Sequence, residues 1–189
     1  TNIEFTPDGT QLITASWDKS IRFWDLDKGV ELRSFVDFGD RVIDIEFTPD
    51  GEYLLIGMGN VGDNSITTNE DSPVDPSVWL WDLENRTQSQ VYSGHTDWTW
   101  TTDISPDGTL AAFGSGPLNL PENGSAIDST VRIWDIKSGQ EIRTLVGHTN
   151  TVDSVKFTLD GNYLLSASWD GTIIRWDVVT GQLLHTYED

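Results

Sequence analysis

The chain carries three imidazoles, His95, His148 and His185, and no cysteine. Histidine is the side chain best suited to proton transfer near neutral pH and to binding transition metals, so what stands beside each one decides which chemistry is open. His95 and His148 each follow a glycine, His185 lies in a short strand-like stretch, and no two share the spacing of a zinc site. No serine occupies a Gly-x-Ser-x-Gly elbow, and Gly57-Met58-Gly59-Asn60 lacks the rest of a phosphate loop and its lysine. Carboxylate pairs arise by abundance alone and mark no acid–base couple. Asp63, Glu70, Asp71 and Asp75 fall in a stretch without a base, a chemistry open to calcium. Their spacing, however, lacks the alternating Asp and Asn before a glycine and the distal Glu of a defined calcium loop. The expectation is a protein without catalytic activity, metal or cofactor.

Charge narrows the partners. The 189 residues hold 11 basic and 31 acidic side chains, a net charge of −20. Such a balance repels nucleic-acid phosphates and anionic lipid surfaces, so neither is an expected partner. Nine Trp, seven Phe and four Tyr supply enough apolar material for a packed core. No apolar run approaches the ~20 residues of a membrane helix, and no signal peptide is visible.

The elements that must position these residues emerge from an internal repeat. Pro-Asp-Gly occurs at Pro7, Pro49 and Pro106, and Leu159-Asp160-Gly161 is a fourth copy. A Trp-Asp pair follows each: Trp24-Asp25, Trp81-Asp82, Trp134-Asp135 and Trp176-Asp177. The last two pairs lie 42 residues apart, the first gaps being 57 and 53. The last unit reads as strands over residues 151–157, 163–168, 172–177 and 182–187, separated by Asp-Gly and Thr-Gly turns, an antiparallel meander. The units fall at residues 1–37, 38–95, 96–148 and 149–189. Such a meander buries both faces only by stacking on its neighbours around an axis.

Gly147-His148, the Asp170 turn and Trp176-Asp177, at their spacing within one unit, resemble the WD-repeat family, and the likeness extends over the chain outside two insertions. It implies an all-β fold, a β-propeller of four blades with four antiparallel strands each, forming part of a seven- or eight-bladed ring. It also implies a buried hydrogen-bond chain in each blade, here His148, Ser166 or Ser168, Asp170 and Trp176. The other units depart from this set. The first has Asp18 and Trp24, but its histidine would precede Thr1. The second has Phe38 and Asn60 in place of His and Asp, keeping Trp81; the third keeps His95 and Trp134 but has Pro117 at the Asp position. Blades two and three should then rest on packing.

Two insertions, at about residues 60–77 and 117–129, fall between the second and third strands of adjacent blades. In the family that connection shares a face with the links between blades, where partners dock. Trp17, Trp98, Trp100 and Trp169 take the exposed contact positions there, beside an acidic lip of Asp63, Glu70, Asp71 and Asp75. The expected function is a protein–protein interaction scaffold whose partner is a protein or peptide bearing basic residues. The alternative is a structural or sensing segment of a larger ATPase, kinase or protease fusion. The chain is expected to be a fragment, completed by its parent's other blades or by a second copy making an eight-bladed ring. Its Pro-Asp-Gly style resembles bacterial members, which points to the cytoplasm.

Overall fold

In a computed structural model, residues 2–36, 38–59, 77–118 and 127–188 are described. They form sixteen strands and no helix. The first sheet is β1 (Asn2–Phe5), β2 (Gln11–Ser16), β3 (Ser20–Asp25) and β4 (Val30–Phe35); the second is β5 (Arg41–Phe47), β6 (Tyr53–Gly59), β7 (Val78–Asp82) and β8 (Thr87–Tyr92). The third is β9 (Trp98–Ile104), β10 (Leu110–Gly116), β11 (Val131–Asp135) and β12 (Gln140–Leu145); the fourth is β13 (Val152–Phe157), β14 (Tyr163–Ser168), β15 (Thr172–Asp177) and β16 (Leu183–Glu188). Each sheet is an antiparallel meander in chain order. The all-β expectation of four four-stranded units is met.

The repeated residues are turn-makers. In the second sheet Asp50 accepts hydrogen bonds from the Thr48 hydroxyl at 2.5 Å and the Glu52 amide at 3.0 Å. Gly51 closes the turn at φ +73°, a conformation that costs glycine nothing and other residues strain. Consecutive turns also touch. A Cβ on Gly51 would meet Pro7 at 3.4 Å, and one on Gly108 would meet Pro49 at 3.3 Å. The Asp of each Trp-Asp pair caps the turn from third to fourth strand. Asp25 accepts from the Lys28 amide, Asp82 from Asn85, Asp135 from Ser138 and Asp177 from Thr180, at 2.7–2.9 Å.

The innermost strands pack in sequence, β1 on β5, β5 on β9 and β9 on β13. Three apolar cores lie between consecutive sheets: Ile13 and Phe23 against Ile45 and Leu54, Leu80 and Tyr92 against Phe113, and Ile133 and Leu145 against Val155 and Trp176. Burial of this apolar area is the main stabilising force. Carboxylates add bonds between the sheets. Asp44 accepts from the Thr102 amide at 2.5 Å, and Asp103 accepts from the Phe157 amide at 2.6 Å.

Candidate functional site: buried polar hubs and a tryptophan-bearing face

In the fourth sheet the sequence-expected set comes together. His148 Nδ1 lies 3.0 Å from Asp170 Oδ2, and its Nε2 lies 2.7 Å from Ser166 Oγ. The Trp176 indole N–H donates to the same Ser166 oxygen at 2.8 Å. Asp170 also accepts from the amides of Thr149 and Thr172, at 2.9 Å each. Burial opposes its charge, but the Thr172 hydroxyl, these amides and His148 outweigh burial and hold its pKa at about 2. A carboxylate facing Nδ1 makes that nitrogen the donor, so Nε2 accepts from Ser166. Between the two serines left open by the sequence, the structure chooses Ser166. The Ser168 hydroxyl instead donates to the Asn150 carbonyl at 3.1 Å and accepts from the Asp170 amide.

Ser166, His148 and Asp170 stand in the order of a hydrolytic triad. Ser166 is only 1% exposed, however, and its oxygen already receives the Trp176 N–H. A nucleophile that no substrate can reach does structural work.

The third sheet corrects the sequence reading. Pro117 is not the counterpart of Asp170; Asp128 is. His95 Nδ1 lies 3.0 Å from Asp128 Oδ2, and Asp128 accepts from the Thr96 amide and the Thr130 hydroxyl, at 2.9 and 2.5 Å. His95 and its neighbours overcome the burial penalty and hold Asp128 well below the usual carboxylate range. The inserted residues therefore precede the turn Asp. The count of six residues from Asp18 to Trp24 and from Asp170 to Trp176 recurs from Asp128 to Trp134, and that signal was open in the sequence. The same count before Trp81 falls on Asp75.

Register explains how far each polar chain extends. Trp24, Trp81, Trp134 and Trp176 pair with Leu12, Leu54, Ala111 and Leu164, so Thr14, Ile56, Phe113 and Ser166 are equivalent two residues on. Where that residue carries a hydroxyl, the indole is satisfied: Trp24 donates to Thr14 at 3.0 Å. Where it is Ile56 or Phe113, the buried N–H of Trp81 or Trp134 has no partner among the described residues, nor does His95 Nε2. The third sheet keeps half the polar chain, and the second rests on packing, with Phe38 edge-on to Trp81 at 5.3 Å. Asp18 binds the Ser20 hydroxyl at 2.5 Å and Arg22 at 2.8 Å, which hold it at about 2.

The tryptophans expected to contact partners divide. Trp17 and Trp169 are 43% and 48% exposed. Trp100 is half-buried, its N–H bonded to the Gly116 carbonyl at 2.8 Å. Trp98, expected at the surface, is buried. Its ring lies over Gly59, where a Cβ would approach to 2.8 Å, and stacks on Trp100 at 5.3 Å. Trp100 leads on to Trp169, with ring centres 5.6 Å apart. Asp63, Glu70, Asp71, Asp75 and Asn60 lie outside the described residues, as does most of both insertions. In the chain the insertions fall between β6 and β7 and between β10 and β11.

A charged ring at the axis escaped the sequence reading. Glu4, Glu46, Asp103 and Lys156 each stand three residues before a Pro-Asp-Gly turn or its Leu159 variant, a spacing that would have aligned them. Lys156 bonds both Asp103 and, at 3.4 Å, Glu46. One lysine cannot balance three acids. Burial, with Asp103 and Glu4 close by, pushes Glu46 up to about 7 against the pull of Lys156. No group of three or more potential metal ligands occurs among the described residues.

The family model described as "WD domain, G-beta repeat" matches residues 1–25, 86–135 and 139–177. The chain is 32% identical to a Nuclear distribution protein PAC1 of Coccidioides posadasii over 180 residues, covering 90% of the chain and 35% of that protein. It is 27% identical to a Guanine nucleotide-binding protein subunit beta of Zea mays, covering 97% and 45%. It is 22% identical to Autophagy-related protein 16 of Arabidopsis thaliana, covering 97% and 31%. The chain thus spans under half the length of these curated relatives. They are fungal and plant proteins, so the expected likeness to bacterial members is not supported. Among the described residues no helix is long and apolar enough to cross a membrane.

Proposed function

The chain belongs to the WD-repeat family, and on that premise we propose that it is a non-catalytic scaffold whose protein partner docks on the tryptophan-bearing face. The observation that carries the reading is the contact of half-buried Trp100 with exposed Trp169 across the third and fourth sheets, with exposed Trp17 on the first. Large aromatics at an accessible surface are the usual anchors of a protein interface. The net charge of −20 favours a partner segment with Lys or Arg. The acidic lip of Asp63, Glu70, Asp71 and Asp75 is proposed to speed encounter, and Trp100 to slow release. The test is a pull-down with the intact chain, followed by kinetics on the recovered partner. Removal of residues 62–76 should mainly lower the association rate, and Trp100→Ala should mainly raise the dissociation rate. A partner indifferent to both changes overturns the reading.

The proposal includes completion of the ring by the parent protein's other blades or by a second copy. Ile3 and Phe5 are exposed on the first sheet, and Ile173 and Tyr187 on the fourth. Leu159 stands where the prolines of other turns meet the next glycine, yet it is 96% exposed, and Gly9 meets nothing within 4 Å. Apolar surface left open in this way favours association. Light scattering of the isolated chain should give a mass above that of the 21.1 kDa monomer. The cytoplasm is the proposed location, a surface so acidic being ill suited to anionic lipid.

A further inference from the structure

Where the innermost strands meet the tryptophan-bearing face, the four sheets leave a cleft of about 390 Å³. Trp17, Ile43, Asp44, Trp100, Asp153 and Ser154 line it, so every sheet contributes. Its aromatic wall is fixed in place. Trp100 gives its N–H to the Gly116 carbonyl, and Trp169, leaning on Trp100, gives its own to Asp153 Oδ2 at 3.0 Å. With its donor engaged, Trp100 can offer a ligand in the cleft only its ring, whose π surface attracts cations; Trp169 packs against that ring without lining the cleft. The polar groups are acidic. Asp44 and Asp153 both line the cleft, and neither forms an ion pair among the described residues. The same face already holds a guanidinium on an indole, Arg41 lying 4.7 Å above Trp17.

We propose that this cleft receives one arginine side chain of an extended partner segment, its guanidinium against Trp100 and Asp153. The inference rests on the reading that this face binds a protein partner, and names the group that enters. A planar guanidinium can stack on an indole while it donates to a carboxylate, whereas an ammonium is a compact, strongly hydrated point charge. Acidic segments are repelled by the two carboxylates. Neutral side chains leave Asp153 without a counter-charge.

The chain labelled with nitrogen-15 reports directly through its nine indole N–H signals, with Trp17, Trp100 and Trp169 assigned by single Trp→Phe substitutions. The probe is N-acetylarginine amide, and its uncharged counterpart is N-acetylcitrulline amide. The arginine probe should shift the Trp100 and Trp169 signals saturably, with citrulline weaker by about fivefold, the scale of one cation–π contact. Asp153→Asn, at an exposed position that can still accept the Trp169 N–H, should weaken the arginine probe by a similar factor at unchanged melting temperature. Ser154→Arg should supply the cation within the chain, shifting Trp100 on its own and abolishing the response. Absence of a saturable shift, an equal response to citrulline, or shifts that leave Trp100 and Trp169 unmoved overturns the inference. If a recovered partner still depends on Trp100 while the probe does nothing, this inference alone fails. If the partner is also indifferent to Trp100, the docking face itself falls.

Discussion

In the fourth sheet His148 continues through Ser166 to the Trp176 indole, while in the third Phe113 takes the place of Ser166, His95 Nε2 has no partner among the described residues, and the polar chain stops. The two sheets keep the same backbone register and the same His–Asp pair at 3.0 Å. What differs is the residue at the centre. Ser166 satisfies two buried nitrogens; Phe113 leaves both orphaned, each at a cost of ~1–3 kcal/mol. Phe113 in return is almost fully buried and packs with Tyr92 and Trp134 at 5.5 and 6.4 Å. Burying such a ring contributes ~1.5–3 kcal/mol, so the two solutions are of comparable size. The comparison teaches that the repeat needs a filled centre, and that polar closure and apolar stacking are alternative ways to fill it.

The largest effect should come from removing the indole that completes the polar chain. Trp176→Ala is expected to cost ~3–5 kcal/mol, read as a lower midpoint in urea unfolding. Trp98→Ala belongs in the same range, because Trp98 is buried over Gly59; a shift near zero would return it to the surface.

Ser166→Ala should come next. It orphans His148 Nε2 and the Trp176 N–H together, making the fourth sheet resemble the third without the compensating ring, at ~1–3 kcal/mol for each group left unpaired. Hydrogen exchange of β14 and β15 amides should accelerate. If stability is unchanged, the hydroxyl is not the centre of the hub.

The axial ring gives a smaller, pH-dependent effect. The Glu46 pKa is raised from 4.5 to about 7. The folded chain therefore keeps a proton that the unfolded chain releases, and the contribution of Glu46 falls as pH rises through this window. Asp170, held at about 2, has the opposite sign, its contribution being lost only as the solution becomes strongly acidic. Glu46→Gln should raise the melting temperature by about 2–4 °C at pH 8, ~1 kcal/mol, and leave it unchanged at pH 4.5. Equal melting curves at both pH values would remove the strain assigned to the ring.

Trp134→Phe should do least. It removes an N–H that has no partner among the described residues while keeping most of the ring, so its cost should stay below ~1.5 kcal/mol. Trp176→Phe, which breaks a made bond, should cost more. A reversal of that order in calorimetry would undo the contrast between the sheets.

The sequence by itself determined the repeat and the strands of its last unit, and its resemblance to the WD-repeat family implied the sixteen strands and the members of the fourth hub. Turn residues and alternating apolar positions act over a few neighbours, so Asp160-Gly161, Asp170-Gly171 and Trp176-Asp177 carry their meaning locally. Tertiary structure decided the rest. Ser166 and Ser168 share a strand face, as side chains two apart must, and only the distance from His148 separates them. Pro117 and Asp128 could both be aligned with Asp170, because an insertion shifts the count without marking where it begins; the His95 contact settles it. Trp98 reads like Trp100 in sequence, yet the space above Gly59 on the neighbouring sheet draws it inward. The cleft lined by Asp44 and Asp153 arises where four separate repeats converge on one axis, a juxtaposition that only packing creates.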